Sequence, residues 1–131
     1  MTKNNALSSS TAIIDWEACL LVVGGKIELA KMMLELFTTN LPVSLSSINQ
    51  HFQENAWEKL AAELHKLLGG CCYAGSTRLK ESVKAAEVAV RQNSDIARIG
   101  ELIEQVNQDI KQVITFYQTN PQLQYNKEKF E

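Results

Sequence analysis

The stretch Leu64-His65-Lys66-Leu67-Leu68-Gly69-Gly70-Cys71-Cys72-Tyr73-Ala74-Gly75-Ser76-Thr77-Arg78-Leu79 decides how the chain folds. On a wheel of about 3.6 residues per turn, Leu60, Leu64, Leu67, Cys71 and Ala74 fall within about 80° of one another and define a buried helical stripe. His65 points about 140° away from that stripe, off the core. The wheel places Ala61, Gly69 and Cys72, all small, on its face. An imidazole bordered by small residues presents a shallow surface on which a second domain can dock. Gly69 and Gly70 each weaken a helix by about 1 kcal/mol relative to alanine, and close approach of a ligand or another backbone is the usual reason to keep them.

Outward from this stretch, the chain reads as helices throughout. Asp15 is a candidate N-cap for a short helix over Trp16 to Val22, stopped by Gly24-Gly25, with Trp16, Leu20 and Leu21 laying it across one end of a bundle. From Lys26 to about Glu54 the apolar positions Ile27, Ala30, Leu34, Phe37, Leu41, Leu45, Ile48 and Phe52 step by three and four, and the rhythm passes through Pro42. An interior proline costs on the order of 3 kcal/mol, so two helices broken at Asn40-Leu41 are an alternative; the unbroken period favours one long, kinked helix.

Asn55 is a candidate cap for a helix from about Ala56 to Tyr73. Gly75 and Ser76 then supply a stop and a fresh N-cap for a helix over Thr77 to Gln92 with Leu79, Val83, Ala86 and Val90 inward. After a turn at Asn93-Ser94-Asp95, the positions Ile96, Ile99, Ile103, Val106, Ile110, Val113 and Tyr117 form the clearest seam in the chain, which ends before Asn120-Pro121. No segment alternates as a strand, and loops of two to four residues imply antiparallel neighbours. The fold class is therefore all-α: an up-and-down four-helix bundle over residues 12–120 with a short N-terminal lid helix. Residues 1–11 read as a mobile tail or linker, and 121–131 as a frayed polar tail.

A chain of 131 residues with 45% hydrophobic content makes one domain with one core. The net charge of -2 and pI near 5.7 give no basic footprint for nucleic acid. No apolar run reaches the roughly 18 residues of a membrane span, and the amino terminus lacks a signal-peptide core, so a cytoplasmic protein without direct membrane contact is expected. The odd count of three cysteines reads as reduced thiols. Glycine-rich phosphate loop, Walker lysine and magnesium-binding carboxylate cluster are all missing from the sequence, so neither ATP binding nor autophosphorylation is expected.

The run His65-Lys66-Leu67, then Gly69, Cys71, Tyr73, Gly75, Arg78 and Leu79, resembles the signature of histidine-containing phosphotransfer (HPt) domains, most closely those of BarA-type hybrid sensor kinases, and the resemblance extends from about Ile13 to Tyr117. It implies that His65 accepts a phosphoryl group from a receiver-domain aspartate of a hybrid sensor kinase and passes it to an aspartate of a response regulator, with magnesium supplied by the receiver. No cofactor or metal of the chain's own is implied. A glutamate at the distance of Glu87 resembles the family's orienting partner, accepting a hydrogen bond from Nδ1–H so that Nε2 keeps its lone pair. The family usually carries a basic residue three positions after the histidine, where this chain has Leu68. That departure leaves a non-relaying, receiver-binding module as the alternative reading.

Each of these residues also has an ordinary reading. A lone histidine on a helix is most often a solvated side chain, and His51, beside Gln50 and Gln53 with no glycine near it, is read that way. Glu87 lies about 80° from the Leu79 direction, at the edge of the core, where solvated glutamates are common. Arg78, opening its helix, is placed with Ala61, Leu68, Gly69 and Cys72 on the expected docking surface, although a solvated role suits it equally. Lys66 is rotated about 100° from His65 and does not replace a basic residue at position 68. A metal site from His65, Cys71 and Cys72 is disfavoured, because Cys71 points into the core and His65 and Cys72 stand about two turns apart.

Overall fold

Asp15 begins the first helix as its sequence suggests: its side chain accepts the Ala18 N–H at 3.2 Å. The computed structural model describes residues 12–125, so the expected tail at 1–11 and the last part of the expected carboxy-terminal tail lie outside the described residues. Helix α1 spans Trp16–Val22, α2 Ile27–Gln53, α3 Trp57–Ala74, α4 Thr77–Arg91 and α5 Ile96–Gln118, and a 3-10 turn follows at Pro121–Leu123. No strand occurs among the described residues. Helix α2 packs on α3 and α5, α3 on α4, and α4 on α5, which closes a four-helix bundle; α1 rests on α3 and α2.

The long second helix runs through Pro42 because its inner face stays buried on both sides: Leu34, Leu41 and Ile48 are each 1% exposed or less. Just before the proline, Thr38 Oγ1 donates to the carbonyls of Leu34 and Glu35, and Asn40 Nδ2 to that of Leu36. The proline removes one backbone donor, and burial on the order of 2 kcal/mol per large apolar side chain outweighs it.

The α3–α4 turn is fixed by Gly75, at φ +58°, the left-handed conformation of a helix stop. A side chain there would collide with the backbone of Asp15, whose N–H donates to the Gly75 carbonyl at 2.8 Å. Arg78 N–H donates to the Ala12 carbonyl, so the chain entering α1 is tied to the start of α4. That attachment places the lid at the α3–α4 end of the bundle.

Several local expectations are corrected. Asn55 does not cap α3: it takes a positive φ of 56° in the turn, and Ala56 occupies the cap position without a side-chain bond. Ser76 holds the N-cap position of α4 but makes no capping bond, and its buried hydroxyl has no partner. In α1 Trp16 and Leu20 pack against the core as expected and Cys19 is buried, 1% exposed, while Leu21 faces solvent. Ile27 and Ile96, the first residues of their helices, are exposed. The expected frayed tail instead begins with a folded turn, in which Leu123 is buried beside α5.

Candidate functional site

Helix α3 buries Leu60, Leu64, Leu67, Cys71 and Ala74, and this stripe turns His65 outward with its side chain 69% exposed. One turn on, a Cβ built at Gly69 would meet nothing within 4 Å, and Cys72 is exposed one turn further. Together they form an open, low surface running from the imidazole toward the lid. Ala61, expected to share it, is only 4% exposed. Helix α3 packs against α1, α2 and α4, so its buried arc is wider than the apolar stripe alone, and a small residue at the arc's edge lets a neighbouring helix cover it.

Leu68 is half-buried and packs against the core, so it borders the surface and does not project from it. Arg78 stands at the lid end of α4. Its Nη1 donates to Gln112 Oε1 of α5 at 2.8 Å, and it stands nine residues, about 13 Å along α4, from Glu87. Gly70, in contrast to Gly69, has an internal reason: a Cβ there would stand 3.0 and 3.1 Å from the Phe37 ring of α2. Beside the histidine surface, between α2 and α3, lies a groove walled by Leu36, Phe37, Asn40, Lys66, Gly70 and Tyr73, with Leu36 and Tyr73 largely exposed.

Glu87 reaches His65 from the adjacent helix. Its Oε2 lies 3.1 Å and its Oε1 3.4 Å from His65 Nδ1, and only 10% of its side chain is exposed. An ionised carboxylate can only accept, so Nδ1 is the donor, and in a neutral ring Nε2 then holds the lone pair. The same Oε2 accepts Arg91 Nε at 2.8 Å. Sequence reasoning passed over Arg91, although its place four residues after Glu87 on one helix was the signal for such a pair.

His51, read as a surface residue, is half-buried, and its Nδ1 is enclosed without a hydrogen-bond partner. Burial pushes the Cys71 thiol up to about 12, with the neighbouring Cys72 adding to the shift, which leaves Cys71 an inert core group. Among the described residues no group of three or more His, Cys, Asp or Glu side chains is arranged to hold a metal ion. No helix among them is long and apolar enough to cross a membrane.

The family model of the Hpt domain matches residues 32–116, which includes His65 and Glu87. The chain belongs to the Hpt domain family. Its relatives include the signal transduction histidine-protein kinase BarA of Shigella flexneri and of Escherichia coli K12, each 30% identical over 88 residues, or 67% of this chain. The chain spans about a tenth of the length of these curated relatives, since the match covers 10% of each. Among solved structures, the HPT domain of a sensor hybrid histidine kinase from Shewanella superposes with a TM-score of 0.75 at 21% identity, covering 84% of this chain and 94% of that one. That likeness carries the fold. Hpt domains perform histidine phosphotransfer in two-component phosphorelays and interact there with receiver domains.

Proposed function

We propose that His65 is the phosphoacceptor of this Hpt domain, taking a phosphoryl group from the aspartyl phosphate of a hybrid-kinase receiver and returning it to the aspartate of a response regulator. The observation that carries this reading is an exposed imidazole whose Nδ1 is held by a nearly buried carboxylate. The Nε2 lone pair attacks phosphorus in line, a P–N bond forms, and the P–O bond to the aspartate breaks and leaves a carboxylate. No proton has to leave Nδ1. The ring gains positive charge as the P–N bond forms, and the adjacent Glu87 carboxylate offsets it. Return of the group is the same step reversed.

The donor and acceptor carboxylates would come from the partners, and so would a magnesium ion, whose charge would offset that of the phosphoryl oxygens. Gly69 leaves room for the partner above the imidazole, and the apolar groove beside Leu36 and Tyr73 offers area for docking. The alternative, a receiver-binding module that does not relay, draws on Leu68, where the family's usual basic side chain is replaced by one turned partly into the core.

Transfer of label decides between them. Receiver domains of BarA-type hybrid kinases carrying radiolabelled phosphate are mixed with the protein, and acid-labile, base-stable label is expected on it. His65→Gln should keep the helical circular dichroism and abolish labelling. Label retained by that variant would place the acceptor elsewhere, and binding of receivers without any label on the wild type would favour the alternative.

A further inference from the structure

We propose that Arg91 is a positioning residue for phosphotransfer: it anchors the Glu87 carboxylate, and through it the tautomer and orientation of His65. The proposal rests on His65 being the phosphoacceptor. Glu87 Oε2 is shared between Arg91 Nε at 2.8 Å and His65 Nδ1 at 3.1 Å, and the shorter contact is the one to the cation. Because both nitrogens touch one oxygen, they lie within about 6 Å of each other, a range in which a charge still acts strongly at a partly buried site. The Glu87 side chain is 10% exposed, and an ionised carboxylate that far from water needs a charged partner. A neutral imidazole supplies one donor and no charge. Arg91 supplies the charge.

The geometry also separates the two roles. Arg91 Nε approaches along α4 itself, as an i,i+4 pair with the glutamate on the N-terminal side, the favourable order, whereas His65 comes from α3. The pair therefore holds the carboxylate against its own helix before the imidazole is added. The Arg91 side chain is 56% exposed, so the fold does not depend on its packing. Without it, the carboxylate is released to rotate toward water, the Nδ1–H contact loses occupancy, and the tautomer with the proton on Nε2, which has no lone pair there to attack phosphorus, becomes populated.

The test reads the imidazole directly. Two-bond nitrogen-proton correlation spectra at a pH where the ring is neutral, with His65→Gln used to tell His65 signals from those of His51, report which nitrogen carries the proton. The wild type should show the Nδ1–H tautomer, Arg91→Ala a mixture, and Arg91→Lys, which keeps the charge without the planar N–H, a smaller change. Labelling by a phosphorylated BarA-type receiver should slow several-fold in Arg91→Ala, and Glu87→Ala/Arg91→Ala should be no slower than Glu87→Ala alone. A wild-type tautomer in Arg91→Ala, or further slowing in the double variant, would overturn the positioning role. If the wild type takes no label at all, the phosphotransfer reading fails, while the spectra still decide whether Arg91 sets the ring.

Discussion

At the scale of single residues, the imidazole and its carboxylate answer different questions. On the proposed reading His65 touches the reacting group, and its loss should stop the chemistry. Glu87 acts through it. The Nδ1 contact is partly exposed and is worth roughly 1 kcal/mol, so Glu87→Ala should slow transfer several-fold without ending it, and an unchanged rate would return Glu87 to an ordinary carboxylate. Leu68 is the residue at which this chain departs from the family. A lysine there would add a cation one turn beyond the histidine, worth up to about 1 kcal/mol when exposed. Leu68→Lys should therefore raise the steady-state phosphorylated fraction a few-fold, about 1.4 kcal/mol being a factor of ten, and added salt should reduce the gain. Because Leu68 packs against the core, the same variant should also melt a little lower. Unchanged phosphohistidine lifetime and equilibrium, with weaker receiver binding, would make Leu68 an apolar docking contact instead.

At the scale of the helix, the adjacent glycines separate cleanly. Gly69 has open space around it and Gly70 faces the Phe37 ring, so the same substitution should act in opposite directions. Gly69→Leu should stabilise α3 by up to about 1 kcal/mol through propensity, raise the melting temperature by a few degrees, and block transfer by covering the approach to His65. Gly70→Leu should lower it, because Phe37 has to move. Preserved transfer in Gly69→Leu would show that partners approach from another side. The sequence made both glycines conspicuous but did not tell them apart, since the difference lies in a residue of another helix. Ala61 illustrates the same limit: a wheel drawn for one helix carries no information on how many neighbours it has. Asn55 and the 121–131 tail depart from expectation for local reasons, one because a capping residue type also suits a left-handed turn, the other because a single apolar residue in a polar stretch, Leu123, carries no period. The legible parts were those with long repeats, such as the α5 seam from Ile99 to Val113 and the inner face of α2 across Pro42. His65 and Glu87 were legible through the family spacing, but their contact required two helices to be set side by side.

At the scale of the whole molecule, the three thiols report how the bundle is closed. Cys72 is exposed on the histidine surface, whereas Cys19 is buried on the inner face of the lid helix α1 and Cys71 in the core stripe of α3. Burial raises the Cys19 thiol from 9.0 to about 11, with Asp15 contributing, and the Cys71 thiol from 9.0 to about 12. The native protein should thus expose one fast-reacting thiol to a disulfide reagent near pH 8, and three after denaturation. The same shifts fix the sign of an alkaline effect. Both thiols hold their protons more tightly folded than unfolded, so the unfolded chain binds fewer protons once the pH passes about 9, and stability falls as pH rises from there toward the folded values near 11 and 12. Because the lid is tied to the α3–α4 turn through Asp15 and Gly75, Gly75→Ala should loosen α1 first. In that variant Cys19 should become reactive near pH 8 before global unfolding, while Cys71 stays protected; simultaneous exposure of both would show that lid and bundle open as one unit.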